Sequence, residues 1–316
     1  MVPTSIILDC DPGIDDAVAI LLALGSPELR LEAITTVAGN TSLKNATANA
    51  LRVLEWVERT DIPVAVGAAR ALVHPAVIDA ADTHGETGLD GSELPAAITS
   101  PLSEHAVDLI ARLALERPGE ITLVATGPLT NVALLAALRP QAYAALRRLV
   151  VMGGSQREGG NITPLAEFNI WSDPDAAERV FQAGLDTTLV GLDVTHYATL
   201  DGDDIAQLAE LPVLGPALAG MLRFYMRKHH DWYGREIVHQ HDSLALAAVI
   251  DPTLITTAHH HVSVDTGVGP GRGTTLIDHF DTLGGKPNVH WAETVDSERF
   301  RELLMERLMG LAASLV

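Results

Sequence analysis

The chain of 316 residues contains a single cysteine, Cys10, so no disulfide can form within it. That suits a reducing compartment and sets a cytoplasmic expectation. Long apolar runs are also missing. The longest, Ala17 to Leu24, falls far short of the ~20 residues that a membrane span needs. The first apolar run, Ser5-Ile6-Ile7-Leu8, meets acids at once and follows no basic leader, so no secretory signal is expected. Basic side chains are scarce: 21 Lys and Arg stand against 41 Asp and Glu, a net charge of −20. Such a chain is a poor partner for a nucleic-acid backbone or an anionic membrane, though it can bind cations and neutral molecules. No linker, repeat or low-complexity segment interrupts it, so one domain over residues 1–316 is expected.

Hydrophobic residues make up 47% of the chain and charged residues 20%, enough for a packed core. Short β-branched runs alternate with helical ones. Ile6-Ile7-Leu8, Arg30 to Val37, Val64-Ala65-Val66, Ile121 to Ala125, Leu149 to Met152 and Thr188 to Val190 read as strands. Asp15 to Leu24, Lys44 to Arg59 and Thr130 to Leu138 read as helices, and Asp173-Pro174-Asp175 has the form of a helix start. This alternation predicts an α/β fold: a mostly parallel central sheet with helices on both faces. Ligands of such sheets bind at the edge formed by the strand C-termini. Beyond Gly202 the pattern turns more helical, with weak strands near Val262 to Val264 and Thr274 to Ile277. Two long segments, Ala68 to Pro101 and Gly153 to Ser172, are candidates for functional or mobile loops.

The sharpest feature is Asp9-Cys10-Asp11-Pro12-Gly13-Ile14-Asp15-Asp16, four carboxylates within eight residues after an apolar strand. While the chain is extended, Asp9 and Asp11 point to one side. Pro12-Gly13 turns the chain, and Asp15 and Asp16 open a helix whose dipole favours negative charge. Carboxylates this close raise one another's pKa, and a divalent cation removes that cost. Oxygen donors of this kind suit Ca²⁺ or Mg²⁺ rather than zinc. Haloacid-dehalogenase-type phosphatases also carry Asp-x-Asp after a first strand. They expect threonine or valine two residues past the second Asp, where this chain has Gly13.

The motif Asp9 to Ala17 resembles the N-terminal motif of the inosine–uridine preferring nucleoside hydrolases. Further segments are similar in the same order: Ile34 to Asn40, His84 to Gly88, Thr126 to Asn131, Met152-Gly153-Gly154, Asn161 with Ala166-Glu167-Phe168-Asn169, and His241-Asp242. The family pattern continues His-Asp-Pro where this chain has Ser243. The resemblance implies a Rossmann-like nucleoside hydrolase fold, one tightly bound Ca²⁺, and cleavage of the bond between base and ribose. It implies Asp11, Asp16, the carbonyl of Thr126 and Asp242 as metal ligands, with Asp11 also the general base for a metal-held water. Asp15, Asn40, Asn161, Glu167 and Asn169 would hold the ribose hydroxyls. Met152 and Phe168 would line the sugar and water region, and His84 and His241 would sit near the base. A homotetramer or homodimer is implied as well.

The chemistry needs these residue types. Breaking an N-glycosidic bond passes through an oxocarbenium-like sugar, so a site must deliver water, tolerate positive charge and help the base depart. Acids and amides also suit an uncharged ribose, whereas a phosphate would face carboxylates. Nucleosides rather than nucleotides are therefore expected. Tyr225, His229 and Tyr233 recur at four-residue spacing and share a helix face, where they could contact a leaving base. His229, His230 and His239 could alternatively read as a zinc cluster. His259-His260-His261 reads as a solvated turn, as does Arg272 between its glycines. Ala80 to Pro95, which holds His84, reads as a flap able to close over a substrate. A binding protein that has lost turnover and a metal-dependent phosphatase are the competing readings.

Overall fold

The computed structural model describes residues 2–73 and 81–316, apart from the side chains at positions 81, 82, 232 and 233. The strands are β1 (Thr4–Cys10), β2 (Leu29–Thr36), β3 (Val64–Val66), β4 (Ile121–Ala125), β5 (Arg148–Met152), β6 (Thr187–Val190), β7 (Thr199–Asp201), β8 (Ile237–His239), β9 (Ile255–Val264), β10 (Thr275–Asp278) and β11 (Val289–Val295). The helices are α1 (Ile14–Gly25), α2 (Leu43–Trp56), α3 (Ala81–His84), α4 (Ala106–Glu116), α5 (Thr130–Leu138), α6 (Pro140–Ala144), α7 (Phe168–Ser172), α8 (Pro174–Phe181), α9 (Leu192–Thr195), α10 (Gly202–Ala209), α11 (Gly215–Tyr233), α12 (His241–Ile250) and α13 (Ser297–Ser314).

Nine strands form the main sheet in the order β10-β9-β11-β6-β5-β4-β1-β2-β3, and β7 pairs with β8 in a separate ribbon. Only the pairings made by β9 are antiparallel within the main sheet. The α/β reading is therefore correct. β1 lies in the interior because Ile6, Ile7 and Leu8 are apolar in succession, as a strand covered on both faces must be. Its residues divide between two cores: Ile6, Leu8 and Cys10 pack on one face of the sheet and Ile7 on the other. From β1 the chain builds outward through β2 and β3, then returns to add β4, β5 and β6 on the other side. The strand order thus reverses between β1 and β4, the place where an open α/β sheet leaves a crevice beyond its strand ends.

Two apolar helices border that crevice. Residues Ile14 to Ala23 of α1 and His241 to Val249 of α12 are buried, and the two helices pack together. A helix that is apolar on every side belongs in an interior. Both therefore fix their first turns firmly at the sheet edge, and those turns carry Asp15, Asp16 and Asp242.

The C-terminal part departs from the sequence reading. His259, His260 and His261 are not a turn but part of the ten-residue strand β9. β11 was not foreseen, since His290, Glu293 and Thr294 break up its apolar residues. Arg272 does lie in a turn, but its guanidinium also pairs with Asp175 at 2.5 Å. Of the flap, residue 80 lies outside the described residues. In the remainder His84 and Leu89 are buried and Asn49 donates to the Thr87 carbonyl at 2.8 Å, while Glu86, Thr87, Gly91, Glu93 and Pro95 are exposed.

Candidate active site

The acids after β1 separate. Asp9 does not share a side with Asp11. Its Oδ1 accepts from Thr35 Oγ1 at 2.6 Å and from Asn131 Nδ2 at 2.8 Å, which ties β1 to β2 and to the start of α5. The strand ends at Cys10, so the two-residue alternation no longer governs Asp11. Asp11 turns into a cradle built from two glycines. A Cβ on Gly39 would stand 1.9 Å from Asp11 Oδ2, and one on Gly127 would stand 2.7 Å from Oδ1. The backbone N–H of Asn40 donates to Oδ2 at 2.6 Å.

Asp16 is held from three directions. Gly13 N donates to it at 3.0 Å, Thr126 Oγ1 at 2.9 Å and Asn40 Nδ2 at 3.2 Å. Asp15, Asp16 and Asp242 bring one oxygen each within 4.8 Å of the others, all buried. Among the described residues none of these carboxylates, nor Asp11, pairs with Lys or Arg. The one charge-capable partner is His84, 3.9 Å from Asp15. Asp11 Oδ1, Asp15 Oδ1 and Asp242 Oδ2 are buried without a hydrogen-bond partner among the described residues. Their protonation follows. Burial and the nearby Asp16 push Asp15 up to about 8. Burial pushes Asp16 up to about 6 against its hydrogen bonds. Burial and neighbouring carboxylates hold Asp11 and Asp242 well above the ordinary range. Such a cluster lacks one thing electrostatically, a cation, and its oxygen-only donors fit a hard divalent ion.

The Thr126 carbonyl is fixed by Asn169, whose Nδ2 donates to it at 2.8 Å and to the Met152 carbonyl at 3.2 Å. A carbonyl oxygen has a second lone pair, so Thr126 can still face an ion. Glu167 serves as the N-cap of α7. Its carboxylate accepts from the N–H groups of Gly154, Asn169 and Ile170, while burial pushes its pKa up. Asn161 Oδ1 accepts from Phe168 N at 2.9 Å. These bonds set α7, and with it Asn169, against the end of β5.

The other wall is a continuous run of rings. His84 meets Tyr225 at 5.2 Å between centroids, Tyr225 meets His229 at 4.2 Å, and His229 meets His239 at 4.7 Å. His239 then meets His241 at 5.3 Å and His196 at 4.8 Å. The Tyr225–His229 contact bears out the four-residue spacing, whereas the Tyr233 side chain lies outside the described residues. Burial is the main cause that holds His84, His229, His239 and His241 neutral, with His84 down to about 3 and His229 to about 4. Ile14 N donates to His84 Nδ1 at 3.1 Å, which joins this wall to α1. His241 Nδ1 lies 2.7 Å from Thr195 Oγ1.

Of the zinc reading, His229 and His239 do come together, but His230 is exposed and His241 takes its place. Sequence reasoning missed His196 and Thr195. They come from α9 and the turn after it, far along the chain from their partners, and no local pattern marks them.

Comparisons with known proteins bear on the family and the fold. The family model for the inosine-uridine preferring nucleoside hydrolases matches residues 6–302. The chain is 44% identical over 306 residues to a pyrimidine-specific ribonucleoside hydrolase RihA of Enterobacter sp. (strain 638), covering 96% of this chain and 97% of that protein. Among solved structures, a plant nucleoside hydrolase, PpNRh1, superposes with a TM-score of 0.93 at 37% identity, covering 97% of this chain and 99% of that one. A purine-preferring ribonucleoside hydrolase from Gardnerella vaginalis gives a TM-score of 0.92 at 33% identity, over 98% and 99% of the two chains. The chain belongs to the inosine-uridine preferring nucleoside hydrolase family and is an enzyme that hydrolyses ribonucleosides.

Proposed function

We propose that this enzyme is a Ca²⁺-dependent nucleosidase that releases the free base from ribonucleosides, with pyrimidine nucleosides preferred. The observation that carries the metal reading is the buried convergence of Asp15, Asp16 and Asp242, with oxygens of Asp11, Asp15 and Asp242 buried and unpartnered among the described residues. Asp11, Asp16, Asp242 and the Thr126 carbonyl would hold the ion. Bound there, Ca²⁺ supplies positive charge that ionises the carboxylates and makes a nearby water more acidic.

The chain's own groups divide the remaining work. Asp11 takes the proton of the attacking water, its carboxylate aimed by the Asn40 N–H and confined by Gly39 and Gly127. Asp15, Asn40, Asn161, Glu167 and Asn169 engage the ribose hydroxyls, with Met152 and Phe168 beside the sugar. The acidic surroundings favour the positive charge that the ribose develops. On the base side stand His84, Tyr225, His229, Tyr233 and His241. Thr195 Oγ1 lies against His241 Nδ1 and orients the ring; with the hydroxyl as donor, the neutral ring carries its proton on Nε2, from which it would give a hydrogen bond to the departing base. The pyrimidine preference rests on the relatives at 42–44% identity, which are named pyrimidine-specific. The whole chain would act as one nucleoside hydrolase domain, in the cytoplasm, as a homodimer or homotetramer; the resemblance to the family carries this assembly.

The test is base release from uridine, cytidine, inosine and adenosine, each with Ca²⁺ and with excess chelator, in wild type and Asp11→Asn. Chelator-sensitive release, fastest from uridine or cytidine and lost in the variant, is expected. Equal turnover in chelator would remove the metal from the reaction, and wild-type activity in metal-loaded Asp11→Asn would remove Asp11 as the base.

A further inference from the structure

Outside the crevice, the antiparallel edge of the sheet gathers a second set of metal-competent side chains. His260 on β9, Glu293 on β11 and His279, one residue past β10, each bring a donor atom within 4.8 Å of the others. His260 Nε2 is buried, lies 3.8 Å from Glu293 Oε1 and has no hydrogen-bond partner among the described residues. The rings of His260 and His279 meet edge to face with centroids 4.5 Å apart.

The surroundings hold these groups in place. His279 Nε2 lies 2.8 Å from Oε1 of Gln156. That oxygen only accepts, so Nε2 carries the proton and the lone pair remains on Nδ1, through which His279 would ligate. Metal-binding imidazoles are commonly oriented this way, by a fixed acceptor on the other nitrogen. The turn bearing His279 is braced by Asp278, whose carboxylate accepts from the N–H groups of Phe280, Thr282 and Leu283. His260 and Glu293 sit on paired strands.

Two imidazoles and one carboxylate form a donor set for Zn²⁺ or Ni²⁺ rather than Ca²⁺. We propose that His260, His279 and Glu293 form a transition-metal site, separate from the acidic crevice and of opposite ligand preference. An ion there joins β9, the β10 turn and β11. Through Gln156 it also reaches the segment after β5, whose Gly154 N–H is bound by Glu167. Metal at the sheet edge thereby stiffens the loop that positions α7.

The test is calorimetric titration of the Ca²⁺-saturated enzyme with Zn²⁺, in wild type, His260→Ala, His279→Ala, Gln156→Ala and His239→Gln. One Zn²⁺ per chain is expected in wild type. Affinity should fall at least tenfold in His260→Ala and His279→Ala and roughly 10- to 100-fold in Gln156→Ala, and hold in His239→Gln. Zn²⁺ should raise the melting temperature of wild type but not of His279→Ala. No Zn²⁺ uptake by wild type would overturn the proposal. So would uptake that survives His279→Ala but disappears in His239→Gln, which places the ion among the buried imidazoles instead.

Discussion

Calcium affinity should rise with pH, with a slope set by the protons that the carboxylates hold when no cation is present. Asp15 is pushed up to about 8, chiefly by burial. Asp11 and Asp242 are driven well above the ordinary carboxylate range by burial and by their acidic neighbours. At pH 6.5 the group therefore retains at least one proton, and a dication must displace it. Each displaced proton raises the association constant tenfold per pH unit, about 1.4 kcal/mol. Asp15 alone thus predicts an increase close to tenfold between pH 6.5 and 7.5, and further protons on Asp11 or Asp242 add to it. The stability of the chelated protein moves the other way. A carboxyl raised in the fold binds more protons folded than unfolded, so its contribution is present at low pH and is lost as pH climbs from 3.8 to about 8. The melting gap between Ca²⁺-loaded and chelated protein should therefore widen with pH over the same interval. Isothermal titration with Ca²⁺ at pH 6.5 and 7.5, beside melts with and without chelator, measures both. An equal Kd at the two pH values would refute the reasoning, because it would mean the buried acids are already ionised without the metal.

Gly39→Ala should fold yet lose activity about 100-fold or more, since its Cβ cannot share space with Asp11 Oδ2; steady-state kinetics beside circular dichroism separates the two effects. Asp9→Ala should act on stability, costing about 2–4 kcal/mol in urea unfolding, because it strips partners from buried Thr35 and Asn131. Thr195→Val should lower kcat about tenfold with little change in KM, as the His241 ring loses the bond that sets its tautomer; KM rising alone would contradict a positioning role. Uridine 5′-monophosphate should be cleaved at least about 100-fold more slowly than uridine, since its phosphate would meet the buried carboxylate of Glu167; comparable rates would show that Glu167 does not face the 5′ end.

The parts legible in sequence were those whose signal is local. The strand before Asp9, the first turn of α1, the α5 helix from Thr130 to Leu138 and the Asp173 cap each depend on residues a few positions apart. All four stand close to where periodicity and capping put them. The acidic cluster was partly legible for the same reason: Asp11, Asp15 and Asp16 share one motif. What failed was direction and distance. Alternation assigned Asp9 to the side of Asp11, but the strand ends between them and Asn131 draws Asp9 elsewhere. The histidines from 259 to 261 looked like a turn because a half-exposed strand carries polar residues. It is pairing with β10 and, further along the chain, with β11 that makes β9 a strand. The contacts of His196 and Thr195 with the 239–241 stretch depend wholly on tertiary packing, which composition and spacing do not encode.

The dispersal of the proposed metal ligands along the chain has a consequence for biosynthesis. Asp11 and Asp16 come from the first helix and the loop before it, Thr126 from the middle of the polypeptide and Asp242 from its last third. A nascent chain leaving the ribosome presents the early acids long before Asp242 exists, so it holds clustered negative charge with no complete means of capturing a cation. On the proposed ligand set, calcium would not seed folding from the N-terminus; it would recognise a chain whose distant segments have already docked, as a late lock on a finished molecule. Fragments that stop short of Asp242 should carry the repulsion without the remedy, which makes them natural targets for proteolytic clearance.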